Sequence, residues 1–417
     1  MADCGIGRAG WDEAENCNRA GCLHELPTVS AIIPCLNEEE TLGICIAKAQ
    51  GAFAQLGITG EVVVGDNGSD DLSVSIAESM GARVVHQPVK GYGAALQAAI
   101  RGARGKYLIM ADADDSYDWS NLEPFVEGLS SGADFVVGNR FEGGILPGAM
   151  PPLHRYLGNP VLSFIARLFF GVPVRDFHCG MRAFTSEAFQ RMQPQTPGME
   201  FATEMIVRAA RAGLDIREIP IKLYPDKRSR APHLRSFQDG WRHLRFILTY
   251  APNWLFFGPG LALFLAGVTL LTLLATGPVL LFGFFMGPHF VALGSLLALM
   301  GFNIVTMGLL AKVIIWREMP AMDDRMVSWL TRKFALEPPL VIGALLTGVG
   351  LSINAKLLWR WLERSGPMED TVHMAFLAGT SMTLGLSTIF GAFLLRLLLG
   401  GSPSSSNPSD DDSTQHL

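Results

Sequence analysis

None of the six cysteines, Cys4, Cys17, Cys22, Cys35, Cys45 and Cys179, stands in a C-x-x-C pair. That excludes the common redox and zinc-ribbon spacings, and Cys17, Cys22 and His24 match no standard zinc ligand pattern either. The scatter is that of free thiols in a reducing compartment. The first residues also lack the hydrophobic core of a secretory signal, so the soluble part is expected to stay in the cytoplasm. The net charge of −6 favours no partner, because it averages a tail carrying Asp410, Asp411 and Asp412 with a basic stretch at residues 222–245. Nucleic acid is not an expected partner.

Charge is scarcest after Tyr250. Four stretches there, Trp254–Leu274, His289–Ile314, Leu340–Leu358 and Met374–Leu399, are apolar over the roughly 20 residues that a bilayer core requires. Lys312, Lys356 and Arg396 fall near their ends, where they can snorkel. The loop between the first two stretches has no charge, whereas the next carries Arg317, Arg325, Arg332 and Lys333 and the last Arg360 and Arg364. With Arg235, Arg242 and Arg245 ahead of the first stretch, this bias puts both termini and residues 28–250 in the cytoplasm. Just before the first stretch, Leu234, Phe237, Trp241, Leu244 and Leu248 share one face of a helical pattern, with Arg235, Arg242, His243 and Arg245 on the rest. Such a helix suits either a headgroup layer or a protein core.

Residues 28–250 read differently. Apolar runs "VSAIIP", "EVVVGD", "ARVVHQ", "KYLIMAD" and "DFVVGNR" alternate with helix-length connectors. That pattern predicts a mostly parallel sheet covered on both faces, with ligands beyond the carboxyl ends of its strands. Those ends carry Pro34, Asn37, Glu38 and Glu39 after the first run, then Asp66, Asn67 and Gly68 after the second. Lys90 and Gly91 open a helix after the third, a turn able to approach a phosphate. The fourth is followed by Asp112, Asp114, Asp115 and Asp118, four aspartates within seven residues. On an extended segment Asp112 and Asp114 point the same way and can converge on Mg²⁺ or Mn²⁺. An acidic turn, solvated and without a metal, is the plainer alternative.

The motifs "IPCLNEEE", "VVGDNGSDD", "KGYGAAL", "MADADDSYD", "VVGNR" and "RDFHCGMRAF" occur in this order over about half of the chain. Residues 28–235 thereby resemble a family 2 glycosyltransferase of GT-A fold, most of all the membrane-attached dolichyl- or polyprenyl-phosphate sugar synthases. The resemblance implies that Pro34, Asn37, Glu38, Glu39, Lys90 and Gly91 line the nucleotide pocket and that Asp66 bonds the base. Asn67 stands where many relatives have a second aspartate. Asp112 and Asp114 would hold the metal, with Ser116 where some relatives place a glutamine. Asp176 would be the base or acceptor-orienting group, and Arg140 would neutralise phosphate or pair with an acid. Glu200 and Glu204 would be acceptor-site acids. Arg182 and the run Lys227, Arg228, Arg230, His233 and Arg235 would meet the acceptor and donor phosphates.

The expected architecture is a segment 1–27 without fixed structure, a Rossmann-like GT-A domain at 28–232 and an interfacial helix at 233–252. A four-helix transmembrane domain at 253–400 and an acidic tail at 401–417 complete it. The expected reaction is inverting transfer of a hexose, glucose or mannose, from a nucleotide diphosphate sugar to a polyprenyl or dolichyl phosphate at the membrane; homo-oligomerisation is left open. A processive polysaccharide synthase, whose usual Q-x-x-R-W sequence is absent, and a non-catalytic glycosyltransferase-like membrane protein are the alternatives.

Overall fold

The computed structural model describes residues 26–228, 236–281, 283–318, 325–333, 335–363 and 371–400. Chain contacts divide it into two units, 1–246 and 247–417. In the first, seven strands form one sheet: β1 (Val29–Cys35), β2 (Gly60–Asp66), β3 (Arg83–His86), β4 (Tyr107–Met110), β5 (Phe135–Asn139), β6 (Arg182–Thr185) and β7 (Ile216–Pro220). Their order is β3-β2-β1-β4-β6-β5-β7. All pairings are parallel except those of β6 with β4 and β5. The first five strands are the five apolar runs. β6 and β7 escape the pattern because "RAFT" is short with polar ends, and "IREIP" is a half-exposed edge strand closed by a proline.

Helices α1 (Leu42–Leu56), α2 (Ser73–Ser79), α3 (Tyr92–Gly102) and α4 (Glu123–Ser130) follow the first four strands. They return the chain so that every one of those strands ends on the same edge, as parallel pairing requires. The short α5 (Arg140–Gly143) begins directly at β5, capped by Asn139, whose side chain accepts from the Glu142 N–H at 3.1 Å. Then come α6 (Asn159–Phe170), α7 (Ser186–Met192), α8 (Phe201–Arg211) and α9 (Ser236–Thr249). The core between sheet and helices includes Ile32, Ile33, Leu42, Trp119, Phe125, Phe135 and Phe184, all fully buried.

Two helices of this unit turn apolar side chains outward. On α6 and the turn before it, Leu153, Leu157, Val161, Phe164 and Leu168 recur at three- and four-residue spacing and are exposed. On α9, Phe237 and Trp241 are exposed beside Arg242 and Arg245, whereas Asp239 and His243 face inward. The helix thus has the amphipathic pattern expected, with one difference: His243, placed among its surface polar residues, is buried.

The second unit contains α10 (Gly258–Leu273), a hairpin of β8 (Val279–Leu281) and β9 (Phe284–Met286), α11 (Pro288–Glu318), α12 (Arg325–Lys333), α13 (Glu337–Glu363) and α14 (Val372–Gly400). Four helical stretches, Asn253–Leu273, Pro288–Glu318, Glu337–Glu363 and Val372–Leu399, are long and apolar enough to cross a membrane. In lipid, apolar area gives no drive for helices to associate, so close packing must. Gly260 and Gly267 on α10, and Gly294, Gly301 and Gly308 on α11, repeat at heptad spacing. A Cβ at Gly267 would lie 2.2 Å from the Ala298 backbone nitrogen, and one at Gly301 would lie 2.2 Å from that of Phe264. Polar links join the bundle: Ser295 and Thr380 hydroxyls bond at 2.6 Å, and His373 Nδ1 lies 3.0 Å from the Leu274 carbonyl. Lys312 does not snorkel outward; it is buried, 5.5 Å from the centre of the Phe257 ring, and α11 continues past it to Glu318.

Gly301→Val therefore forces α10 and α11 apart. Overpacking of this kind costs about 1–3 kcal/mol, so the purified variant should melt several degrees below the wild type in detergent. An exposed glycine with open space around it, Gly348→Val, should change the melting temperature far less.

Candidate active site

Carboxyl ends of β1, β2, β3 and β4 meet at one edge of the sheet. The loops after β1 and β2 are stitched together there. Asn37 adopts φ 59°, its Oδ1 accepts from the Asp70 N–H at 2.8 Å, and its own N–H donates to Ser69 Oγ at 3.0 Å. The Glu38 N–H donates to Ser73 Oγ at 2.7 Å, and Glu39 exchanges bonds with Asp71 and Leu72. Beside these loops lies a cavity of about 300 Å³, lined by Asn37, Glu38, Glu39, Glu40, Asp70, Asp71 and Arg228. Pro34 is buried within β1, opposite Gly65, and shapes the strand without facing the cavity.

Asp66 is buried, and its carboxylate accepts from the Ser69 and Gly68 N–H groups at 2.9 and 3.2 Å, with His86 Nδ1 at 3.0 Å. Burial alone would raise its pKa, but these bonds outweigh burial and hold it below the usual carboxylate value. Asn67 is a clip. Its amide donates to the Gln87 and Val89 carbonyls at 3.0 and 2.8 Å, and its Oδ1 accepts from the Gly91 N–H at 2.7 Å. A carboxylate could make only the last of these bonds, so the asparagine fixes the loop 87–91 as an aspartate could not. Lys90 Nζ donates to the Asn67 carbonyl at 2.7 Å. Gly91 has φ 144°, and a Cβ there would meet the Pro197 carbonyl at 2.2 Å.

The aspartates after β4 do not lie on an extended segment. The strand ends at Met110, and the chain bends through residues 113–115 with Asp115 at φ 58°. The alternation argument for Asp112 and Asp114 is thus replaced by a bend that brings them together. Asp112 accepts from the Tyr92 hydroxyl at 2.9 Å, and its carboxyl is pushed up to about 7 by burial and by the Asp114 charge. Asp114 accepts from the Ser116 N–H at 3.0 Å and from Arg228 at 2.8 Å. Asp115 is not solvated: it is buried and paired to Lys48 at 2.6 Å and Lys227 at 2.7 Å. Trp119, fully buried, donates its indole N–H to the Asp112 carbonyl at 3.3 Å and anchors the bend.

Among the described residues, no three His, Cys, Asp or Glu side chains form a metal-holding group. Two adjacent carboxylates that repel each other do fit Mg²⁺ or Mn²⁺, which are typically held by one or two carboxylates together with substrate phosphates. Asp112 and Asp114 would hold such an ion. Ser116 contributes its backbone, donating to Asp114 and accepting from the Tyr224 N–H at 3.0 Å.

Arg140 and Asp176 pair with each other. The Arg140 Nε and Nη2 donate to Asp176 at 2.7 and 2.8 Å, its backbone N–H adds a third bond at 3.1 Å, and Asp176 is fully buried. Both carboxylate oxygens are thereby taken up, which opposes a role in proton removal. Arg182 is not a phosphate contact, as expected above, but a core residue: it is fully buried and donates to the carbonyls of Cys179, Ala202 and Phe177. Glu204 is likewise structural, accepting from Gln195, Thr196 and Arg208. Glu200 keeps a buried Oε2 with no hydrogen-bond partner. Arg230, His233 and Arg235 lie outside the described residues.

One residue that no strand-end rule singled out is His178, inside "RDFHCGMRAF". Neither ring nitrogen has a hydrogen-bond partner, and the ring packs edge-on against His243 with centroids 4.6 Å apart. His243 in turn meets the Thr203 hydroxyl at 2.9 Å. Its signal in the sequence was only an unexplained histidine in a motif otherwise assigned.

A mostly parallel α/β sheet with acids and a glycine-opened helix at its carboxyl edge, followed in the chain by four candidate spans, fits a membrane-attached transferase. Residues 30–192 match the model of glycosyl transferase family 2, and residues 309–399 that of the glycosyltransferase family 2 C-terminal transmembrane region. A low-salt glycan biosynthesis hexosyltransferase, Agl6, of Haloferax volcanii is 39% identical over 88% of both chains. The chain belongs to glycosyltransferase family 2. A dolichyl-phosphate hexose transferase of the same organism is 33% identical over 46% of this chain and 81% of its own. Among solved structures, glucosyl-3-phosphoglycerate synthase of Mycobacterium tuberculosis, seen with Mn²⁺ and UDP, is 22% identical, covering 58% of this chain and 84% of its own at TM-score 0.42.

The paired histidines make stability depend on pH. Burial holds His243 down to about 4 and, with the nearby charges of His243, Arg140 and Arg182, holds His178 well below 6.5. The unfolded chain therefore takes up protons first as pH falls below about 6.5, and native stability drops from there toward pH 4. For His243 alone the loss is on the order of 3 kcal/mol. His243→Gln should flatten the pH dependence of the melting temperature between pH 6.5 and 4; an unchanged slope would contradict the buried neutral pair.

Proposed function

We propose that this chain transfers a hexose, glucose or mannose, from a nucleotide diphosphate sugar to a polyprenyl or dolichyl phosphate, with inversion at the anomeric carbon. The observation that carries this reading is the half-buried Asp112 beside the buried Asp114 at the carboxyl edge of the sheet, in a family 2 chain with four candidate spans. The Haloferax relatives named for hexosyl transfer, one to dolichyl phosphate, support the sugar class and the acceptor. The Lys/Arg bias favours the cytoplasmic face, and the outward apolar residues of α6 and α9, with Arg242 and Arg245, suit the headgroup layer.

The bend at residues 113–115 holds Asp112 and Asp114 for Mg²⁺ or Mn²⁺. A bound ion there supplies positive charge against the diphosphate. Tyr92 fixes the rotamer of Asp112 through its hydroxyl. Glu38, Glu39 and the clipped loop at Asn67 to Gly91 frame the nucleotide, and Lys90 adds a cation beside it. The acceptor phosphate oxygen is already anionic near neutral pH. It forms the new bond to the anomeric carbon as the bond to the donor diphosphate breaks, and the nucleoside diphosphate leaves with the electron pair. No base is needed, which agrees with the closed Arg140–Asp176 pair; Asp176 acts by positioning Arg140 and the loop that carries His178.

Purified protein with Mn²⁺, polyprenyl phosphate and radiolabelled UDP-glucose or GDP-mannose should yield label in an organic-soluble, mild-acid-labile product. Asp112→Asn and Asp114→Asn should each lower kcat by about 100-fold or more. Full activity of Asp114→Asn in an assay that EDTA still inhibits would remove the metal assignment. Label appearing in a polymer would favour the processive alternative.

A further inference from the structure

The strap that follows β7 lies along the acidic bend and sets two cations against two of its aspartates. Backbone bonds run from the Tyr224 N–H to the Ser116 carbonyl at 3.0 Å and from the Lys227 N–H to the Asp114 carbonyl at 3.3 Å. Lys227 then pairs with Asp115, and Arg228 with Asp114 at 2.8 Å. Arg228 also reaches Glu38 at 3.1 Å and Asp226 at 3.2 Å. Its side chain is only 13% exposed, between a cavity-lining acid and one of the two metal-site carboxylates.

We infer that Arg228 is an exchangeable counter-cation. In the nucleotide-free protein it neutralises Asp114 and Glu38, so that the divalent ion enters together with the donor diphosphate and not ahead of it. This rests on the metal-and-diphosphate reading above.

Three observations carry it. First, the guanidinium holds the Asp114 oxygen that is free of the Ser116 N–H, so a metal ion bound to that oxygen competes with it directly. A free ion must therefore displace an ion pair that is largely shielded from solvent and weakly screened. Second, the guanidinium is incompletely satisfied where it sits, since its buried Nε has no hydrogen-bond partner. A planar fork with an unused donor gains a better partner in a phosphate, which it can grip through two nitrogens at once. Third, the backbone of Tyr224 and Lys227 holds the strap to the bend, so Arg228 can leave Asp114 by a change of side-chain rotamer without detaching the strap. The diphosphate thus supplies both a ligand for the ion and a new partner for the arginine, and the two binding events become coupled.

The test is Mn²⁺ binding to the full-length protein in detergent, followed by electron paramagnetic resonance of the free ion, first without nucleotide and then with UDP or GDP. Arg228→Gln should bind Mn²⁺ about tenfold more tightly than wild type without nucleotide, a typical coupling size. Its gain on adding nucleotide should be correspondingly smaller. Arg228→Met, which keeps the apolar stem, should behave alike and guards against a folding defect in either variant. Lys227→Gln removes an equal charge next door, on Asp115, and should shift nucleotide-free Mn²⁺ affinity by less than about threefold. Equal affinities of wild type and both Arg228 variants without nucleotide, while nucleotide still recruits Mn²⁺, would overturn the exchange and leave the proposed reaction standing. An effect of Lys227→Gln as large as that of Arg228→Gln would also overturn it, since general electrostatics would then suffice. Failure of either nucleotide to recruit Mn²⁺ to the wild type would overturn the metal reading itself and the exchange with it.

Discussion

Two carboxylates held side by side in a shielded corner repel each other unless a proton or a cation offsets the charge, and the catalytic unit is organised around that constraint. Asp112 and Asp114 are brought together by a bend held on Trp119 from within and on the 224–228 strap from outside. The other charges nearby answer them: Lys48 and Lys227 take up Asp115, Arg228 takes up Asp114, and Tyr92 takes up one oxygen of Asp112. The partners come from three separate elements, α1, α3 and the strap, so these and the sheet must all be in register for the charges to balance. Electrostatics in this unit therefore reports on the fold as a whole, and the fold in turn fixes the electrostatics.

The second constraint is the closed Arg140–Asp176 pair. Replacing one member of such a pair typically leaves an uncompensated buried charge. The two residues sit at the end of β5 and in the loop leading to β6, where the one antiparallel strand enters a parallel sheet. The pair secures the crossing point of the topology. This gives a structural reason for an aspartate that motif resemblance alone reads as chemical.

Much of the fold was legible because buried parallel strands have a plain sequence signature, and all five apolar runs became strands. The spans were legible for the same reason, length and apolarity. What stayed hidden was whatever depended on contacts between distant segments. "RAFT" is too short to declare itself, and only its place between β4 and β5 makes it a strand. Arg182 reads as a phosphate contact until its three carbonyl partners are known. Asp115 reads as one more acid of the turn until Lys48, sixty-seven residues away, reaches it. The convergence of Asp112 and Asp114 was anticipated from a geometry the chain does not adopt; the bend achieves it by another route. The heptad glycines of α10 and α11 were visible in the sequence, but their meaning required a partner helix.

Helix α9 is held on one face and offered on the other. His243 fixes its inner face to Thr203 and to the ring of His178, while Phe237 and Trp241 project from the outer face. A helix pinned in this way cannot roll. Its outer face is then fixed relative to the sheet, so Phe237 and Trp241 keep one direction with respect to the site edge.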